Sequence, residues 1–218
     1  YMTGKIERDA IAAMRRSYGE EGLVHIPADP FTLFHTWLKD AAENPYIIEA
    51  NAMVLSTVAD NQPTSRSVLL KDVSAESFSF FTNYHSRKAH QISENSHVSL
   101  LFPWYAMERQ VYFAGSVEKI SAQESDDYFA VRPYGSQIGA WASAQSHTLT
   151  SRQELEDRYK ELTVKFPEGS TVPRPPHWGG YRVIPNHIEF WQGRASRMHD
   201  RIVFTKEKGN WERHRLAP

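Results

Sequence analysis

At 218 residues, 40% hydrophobic and 23% charged, the sequence has the makings of a single folded domain and excludes wholesale disorder. The absence of cysteine excludes disulfides and thiolate chemistry, leaving His and carboxylates as the side chains a metal site would have to use. A net charge of −1 excludes a broad positive field for nucleic acid or an anionic membrane surface, so anion binding must be local.

The N-terminal stretch YMTGKIERDAIAAMRR lacks the apolar run of a signal peptide. No segment reaches the roughly 20 apolar residues of a membrane span, and together these predict a cytoplasmic protein. Lys5 to Tyr18 reads as an amphipathic helix, with Ile6, Ile11 and Met14 at helical spacing and Arg15 and Arg16 in its last turn. A second helix starts at Asp29-Pro30, where Asp caps and Pro suits the first helical position, and runs through Phe34, Trp37 and Leu38 to about Asn44. From Ala52 the period is that of strands. AMVLSTV, then TSRSVLLKDV after a turn with Asn61 and Pro63, then SFSFFTN predict three adjacent antiparallel strands.

Ser86 to Asn95 reads as a short helix, followed by the strands HVSLLFPW and RQVYFAGSVEKI. Ser121 with Glu124, and Ser151 with Glu154, form capping boxes that start helices reaching about Val131 and Phe166. Pro133 ends the first of these; WASAQSHTLTS reads as a small polar stretch and EGSTVPRPPHWGG as a loop. The tail predicts strands near Tyr181 to Val183, Ile188 to Gln192, Arg201 to Thr205 and Trp211 to Leu216. Many short strands broken by irregularly placed helices predict an α+β fold on an antiparallel barrel or closed sheet.

No GxxxxGK[ST], GxGxxG, HExxH or GxSxG occurs, so phosphate-loop, Rossmann, zincin and serine-hydrolase chemistry lack support, and the ten histidines are too scattered to suggest a metal site. Four constellations remain. Ser86-Arg87-Lys88 opens a helix, where cations oppose the macrodipole unless an anion is bound among them. In RSVLLK, strand alternation puts Arg66 with Val68 and Leu70 on one face and Lys71 on the other, so one ligand reaches both only near a bulge or strand end. Tyr128 and Arg132 share a helix face, and Gly135-Ser136 follows a break that can turn a hydroxyl toward them, a donor mix suited to phosphate. Arg197, His199 and Arg201, if extended, project from one face at intervals of about 6.6 Å. Trp191 lies just upstream as a flat apolar surface for a conjugated ring. Each has a structural alternative: solvated surface cations, charged strand ends, a Tyr packed on an Arg stem, a charged solvent-facing strand.

Together these segments resemble the pyridoxine (pyridoxamine) 5′-phosphate oxidase family. RSVLLK, FFTNYHSRKAHQ, SLLFPW, ERQV, RPYGSQIGAWAS, WGGYR, IEFWQG, SRMHDR and RLAP occur in the family's order from about Arg15 to the C-terminus. The resemblance implies one FMN-binding split-barrel domain over 1–218. Within it, about 1–28 form an N-terminal helix and lid segment and about 172–218 form C-terminal strands completing the site. It implies a homodimer with FMN at the subunit interface. Arg66, Lys71, Phe81, Thr82, Arg87, Lys88, Gln145 and Ser146 would hold the ribityl phosphate end, and Gln110, Trp191 and Arg201 would lie at the flavin ring. Lys71, Tyr128, Arg132 and Ser136 would take the substrate phosphate, which places Lys71 between two ligands. Arg197 and His199 would lie over the pyridine ring as the catalytic pair, and Arg15 to Tyr18 would fold over the site. The implied reaction oxidises pyridoxine or pyridoxamine 5′-phosphate to the aldehyde, with dioxygen as acceptor and peroxide as product. Two residues depart from the family pattern: Phe81 stands where Tyr is common, and Arg194 follows WQG where a smaller residue is common.

Two rival readings keep parts of this pattern. A non-catalytic flavin- or haem-binding split barrel would need neither the Tyr128, Arg132, Ser136 cluster nor the Arg197, His199 pair. A barrel for single-stranded nucleic acid is disfavoured by net charge and by the lack of aromatics spaced among basic residues.

Overall fold

The computed structural model describes residues 8–218. Six α-helices, α1 (Arg8–Ala13), α2 (Pro30–Glu43), α3 (Arg87–Glu94), α4 (Ala122–Ala130), α5 (Tyr134–Ala142) and α6 (Arg152–Lys165), accompany one antiparallel sheet. Its strands are β1 (Ala52–Ala59), β2 (Gln62–Leu69), β3 (Asp72–Val73), β4 (Phe78–Asn83), β5 (His97–Trp104), β6 (Arg109–Lys119), β7 (Trp178–Gln192), β8 (Asp200–Glu207) and β9 (Asn210–Leu216).

The order β2-β1-β5-β6-β7-β4-β3 explains how the sheet closes. Its two ends, β2 and β3, are separated in the chain only by Leu70 and Lys71, so the path can be completed only by curling the sheet round. The Lys71 N–H donates to the Ser79 carbonyl at 2.9 Å, tying that joint to β4. The β1–β2 turn places Asp60 and Asn61 at φ 51° and 58°, the left-handed pair that a two-residue hairpin of native twist demands. The expected three-strand array is corrected here: β4 pairs with β7 along its whole length, and the partner on its other side is the two-residue β3 rather than β2.

β7 is a single strand where the sequence predicts two, and it changes partner along its length. Phe78 to Asn83 pair with its first half, whereas Asp200 to Thr205 pair with His187 to Gln192. Between the halves lie Pro185, which has no N–H to give, and Asn186, which is unpaired where the register slips opposite Ala114 and Gly115. Gly115 is required there: a Cβ on it would stand 2.1 Å from the Ile184 carbonyl oxygen. The result is the antiparallel split barrel expected, with β8 and β9 continuing beyond the split.

The interior is aromatic. Phe34, Phe78, Phe102, Phe113, Phe190 and Phe204 are fully buried, and Phe34, on α2, meets Phe78, Phe102 and Phe113 with ring centres 5.1 to 5.2 Å apart. α2 therefore plugs the barrel. It starts as expected, the Asp29 carboxylate accepting from the Thr32 N–H at 2.9 Å with Pro30 following.

Two helices differ from expectation. Of the segment Lys5 to Tyr18, the portion from Lys5 to Glu7, with Ile6, lies outside the described residues. The helix ends at Ala13, so Arg15 and Arg16 are not in its last turn. Ile11 and Met14 are 57% and 66% exposed; a short helix with no surface to bury its apolar positions has little to extend it. α5 occupies a stretch whose two glycines and small side chains hide its helical period, and Ile138 and Ala142 are the buried apolar residues that fix it.

Candidate active site

β2, β4, α3, α4 and α5 surround a cavity of about 650 Å³. Lys71, Phe81, Thr82, Lys88, Tyr128, Arg132, Ser136 and Gln145 all line it, so eight of the residues singled out by sequence converge on one space. Lys88 comes from the first turn of α3, which the buried Ser86 hydroxyl caps. Lys88 is 9% exposed, and its ammonium donates to Thr82 Oγ1 and Gln145 Oε1, both at 3.0 Å. Burial, then the charge of Arg66, pushes Lys88 down to about 8.

Arg66 is held by neutral acceptors alone: Thr64 Oγ1 at 2.6 Å, Thr57 Oγ1 at 2.7 Å and Gln91 Oε1 at 3.0 Å. Burial and the Arg87 charge both lower its pKa. Arg87 and Ser146 line a neighbouring hollow of about 460 Å³, with Ser146 in the left-handed region at φ 70°.

On the opposite wall, Phe81 stacks on Tyr128 with centres 3.9 Å apart and on Trp178 at 5.4 Å. The Arg132 guanidinium lies 4.5 Å over the Trp178 ring, its pKa lowered by burial, and its Nη1 is buried with no hydrogen-bond partner. Ser136 spends its amide on the Pro133 carbonyl at 2.8 Å, so its hydroxyl is the group left to face the cavity. Among the described residues, none of Arg66, Lys71, Arg87, Lys88 and Arg132 makes an ion pair with a carboxylate. A cavity ringed by uncompensated cations, one of them with an orphaned buried N–H, fits a phosphorylated ligand.

The other predicted residues form a second group. Gln110, Trp191 and Arg201 stand in one rung across β6, β7 and β8, and hence on one face of the sheet. Trp191 lies 4.8 Å from the His199 ring, and the Tyr18 ring packs edge-on against both, at 6.0 and 5.6 Å. None of these lines the cavity. The extended row through Arg197, His199 and Arg201 is corrected: Ala195 to Arg197 form a tight turn in which Ser196 and Arg197 take φ 56° and 62°, and the strand begins only at Asp200. Arg197 is exposed on this turn. Arg201 is engaged by Glu189, Nη2 to Oε2 at 2.7 Å, which the sequence reading missed although i and i+2 alternation along β7 puts Glu189 on the face of Trp191. Arg15 is exposed. Trp178, over which the Arg132 guanidinium lies, was not singled out either, although it stands in the WGGYR segment.

A model of the family described as pyridoxamine 5′-phosphate oxidase matches residues 39–166, more than half of the chain. The chain belongs to this family. A second model, described as the pyridoxine 5′-phosphate oxidase C-terminal dimerisation region, matches residues 178–218, which are β7 to β9. A pyridoxine/pyridoxamine 5′-phosphate oxidase of Pseudomonas entomophila is 50% identical over 96% of this chain and 99% of the relative. One from Streptomyces avermitilis is 47% identical over 97% and 99%. Among solved structures, PhzG from Burkholderia lata, in complex with tetrahydrophenazine-1-carboxylic acid, superposes with a TM-score of 0.85 at 27% identity over 92% of this chain and all of the other. A pyridoxamine 5′-phosphate oxidase-related, FMN-binding protein of Nostoc punctiforme shares the fold at TM-score 0.69 and 15% identity. No helix among the described residues is long and apolar enough to cross a membrane.

Proposed function

We propose that the chain is an FMN-dependent oxidase converting pyridoxine 5′-phosphate and pyridoxamine 5′-phosphate to pyridoxal 5′-phosphate. The observation that carries this is the cation-lined cavity with the unpartnered Nη1 of Arg132 at its aromatic wall. The names of relatives about half identical over nearly the whole chain support it.

In this reading Lys88, Thr82 and Gln145, flanked by Arg66, Arg87 and Ser146, hold the phosphate and ribityl end of FMN. Phe81, lacking a hydroxyl, contributes its backbone. Lys71, Tyr128, Arg132 and Ser136 take the substrate phosphate. Gln110, Trp191 and Arg201 border the flavin ring, and Arg197 and His199 orient the pyridine ring so that its 4′ carbon faces the cofactor. FMN held there would supply a two-electron acceptor reoxidised by dioxygen, with hydrogen peroxide as the product. The chain's own part is placement: anion contacts at one end of each ligand fix the distance between the two rings, and Arg197 assists proton removal from the 4′ substituent.

Because the Trp191 group and the cavity are separate within one chain, the reading requires a homodimer in which β7 to β9 bring the Trp191 face of one copy to the cavity of the other. Purified protein should be yellow with bound FMN and should release peroxide on addition of pyridoxine 5′-phosphate in air. Colourless protein that takes up no FMN sinks the reading. Yellow protein without turnover favours a non-catalytic flavoprotein, and turnover of a tricyclic carboxylic acid instead would align the chain with the PhzG structure.

A further inference from the structure

Two carboxylates hold the chain from Arg16 to Leu23 across the Trp191 face, Glu108 at Arg16 and Gly19 and Asp200 at Leu23. Asp200 is 8% exposed at the start of β8. Its Oδ2 accepts from the Leu23 N–H at 2.9 Å, and its Oδ1 accepts from Arg215 Nη1 on β9. Arg194 Nη1 stands 3.9 Å from Oδ2, while its Nη2 donates to the Glu20 carbonyl at 3.2 Å. Gly22 allows the approach, since a Cβ there would lie 2.8 Å from Asp200 Oδ2. Further along, the Ala195 N–H donates to the Gly19 carbonyl at 3.0 Å, and the Gly19 N–H to Glu108 Oε2 at 3.0 Å. One buried carboxylate thus fastens the N-terminal segment, the turn bearing Arg197 and the last strand. That turn holds two consecutive left-handed, non-glycine residues, a conformation that persists only where surrounding contacts enforce it.

We propose that Asp200 is a positioning residue of the oxidase site, seating Arg16 to Leu23 so that Tyr18 closes on Trp191 and His199. It touches neither reacting ring, and the assignment rests on the function proposed above. The charge and both oxygens are needed. Asparagine would turn its NH2 toward either the Leu23 N–H or the Arg215 guanidinium, setting donor against donor.

Asp200→Asn and Gly22→Ala test this in the FMN-loaded protein. The first removes the charge; the second pushes the segment off Asp200 without altering it. Hydrogen–deuterium exchange of the peptide covering residues 16 to 26 should quicken roughly tenfold or more in both variants, the loss expected when a buried acceptor contact fails. KM for pyridoxine 5′-phosphate should rise by a similar factor, with kcat changed less than about twofold and bound flavin unchanged. Unchanged exchange at Leu23 in Asp200→Asn overturns the proposal. Equal loosening of β8 and β9 with loss of flavin also overturns it, because Asp200 would then be holding the fold rather than the segment. Wild-type protein lacking oxidase activity, with the exchange differences still present, would refute the proposed function while upholding the fastening by Asp200.

Discussion

The backbone N–H of Arg194 donates to Nδ1 of His199 at 3.0 Å. An amide can only donate, so Nδ1 is the acceptor, and the proton of the neutral imidazole sits on Nε2. Arg194 thus acts on His199 through its main chain.

That tautomer leaves Nε2 as the donor of His199, which in the proposed site meets a substrate oxygen. Glutamine reaches about as far as Nε2 and can replace that donor, whereas asparagine stops near the Nδ1 position. His199→Gln should therefore retain roughly tenfold more kcat/KM than His199→Asn, about 1.4 kcal/mol of transition-state stabilisation. Steady-state peroxide assays decide it; equal loss in both variants would show that Nε2 donates nothing to the substrate.

Lys88 provides a pH signature. Its pKa of about 8 lies below its ordinary 10.5, so between those values the unfolded chain holds a proton that the folded chain has released. Stability of the cofactor-free protein therefore rises with pH across this window. Ligand binding has the opposite sign. A phosphate dianion favours the charged ammonium, so binding takes up a proton, and FMN affinity should fall by up to about tenfold per pH unit above about pH 8. Calorimetric titrations in buffers of different ionisation enthalpy measure the uptake directly. Affinity flat from pH 7 to about 10 would remove Lys88 from the phosphate site.

Arg132 separates stability from function. Its buried Nη1 has no partner, a cost to the ligand-free fold. Arg132→Met keeps much of the packing over Trp178 and removes that cost, so the unfolding free energy should hold or rise by about 1 kcal/mol. KM for the phosphorylated substrate should rise about 100-fold, with flavin retained. Denaturant melts and kinetics on the same preparation test both halves, and a variant that unfolds early while binding substrate normally would reverse the assignment.

Gly115→Ala should be among the more damaging single changes outside the site. The added methyl meets the Ile184 carbonyl oxygen at 2.1 Å and Pro185 Cα at 2.6 Å, both backbone, so the bulge itself must open. A loss of about 3 kcal/mol is expected, read as a lower urea midpoint.

The α+β barrel and most element boundaries were legible because their signals are local: Asp29-Pro30, Ser86, Ser121 with Glu124, and the two-residue alternation of β1, β5 and β6 all act within a few residues. At α6 the box is only half made, since Glu154 reaches back to Thr150 rather than Ser151. What escaped depends on distant contacts. β7 reads as two strands because Pro185 and Asn186 interrupt its period, and only pairing to β6 shows it to be continuous. The cavity residues could be named from their segments, but the bend at Ser196 and Arg197 could not, because its flanks are tied by the Ala195 N–H to the distant Gly19 carbonyl and by the Arg194 N–H to His199. The ion pair of Arg201 with Glu189 was hidden for the same reason: the two meet across strands.

The place of β7 in the sheet also orders events at the ribosome. It lies between β6 and β4, yet the whole stretch from Ile120 to His177 is made before it. A nascent chain that has produced β1 to β6 therefore lacks the strand that covers the inner edges of β4 and β6, and both stay open to other chains until Trp178 to Gln192 emerge and cover them in one step. The stretch from Trp178 onward is thus what protects everything before it from aggregation, and a message cut short before Trp178 yields a sticky product rather than a weakened enzyme.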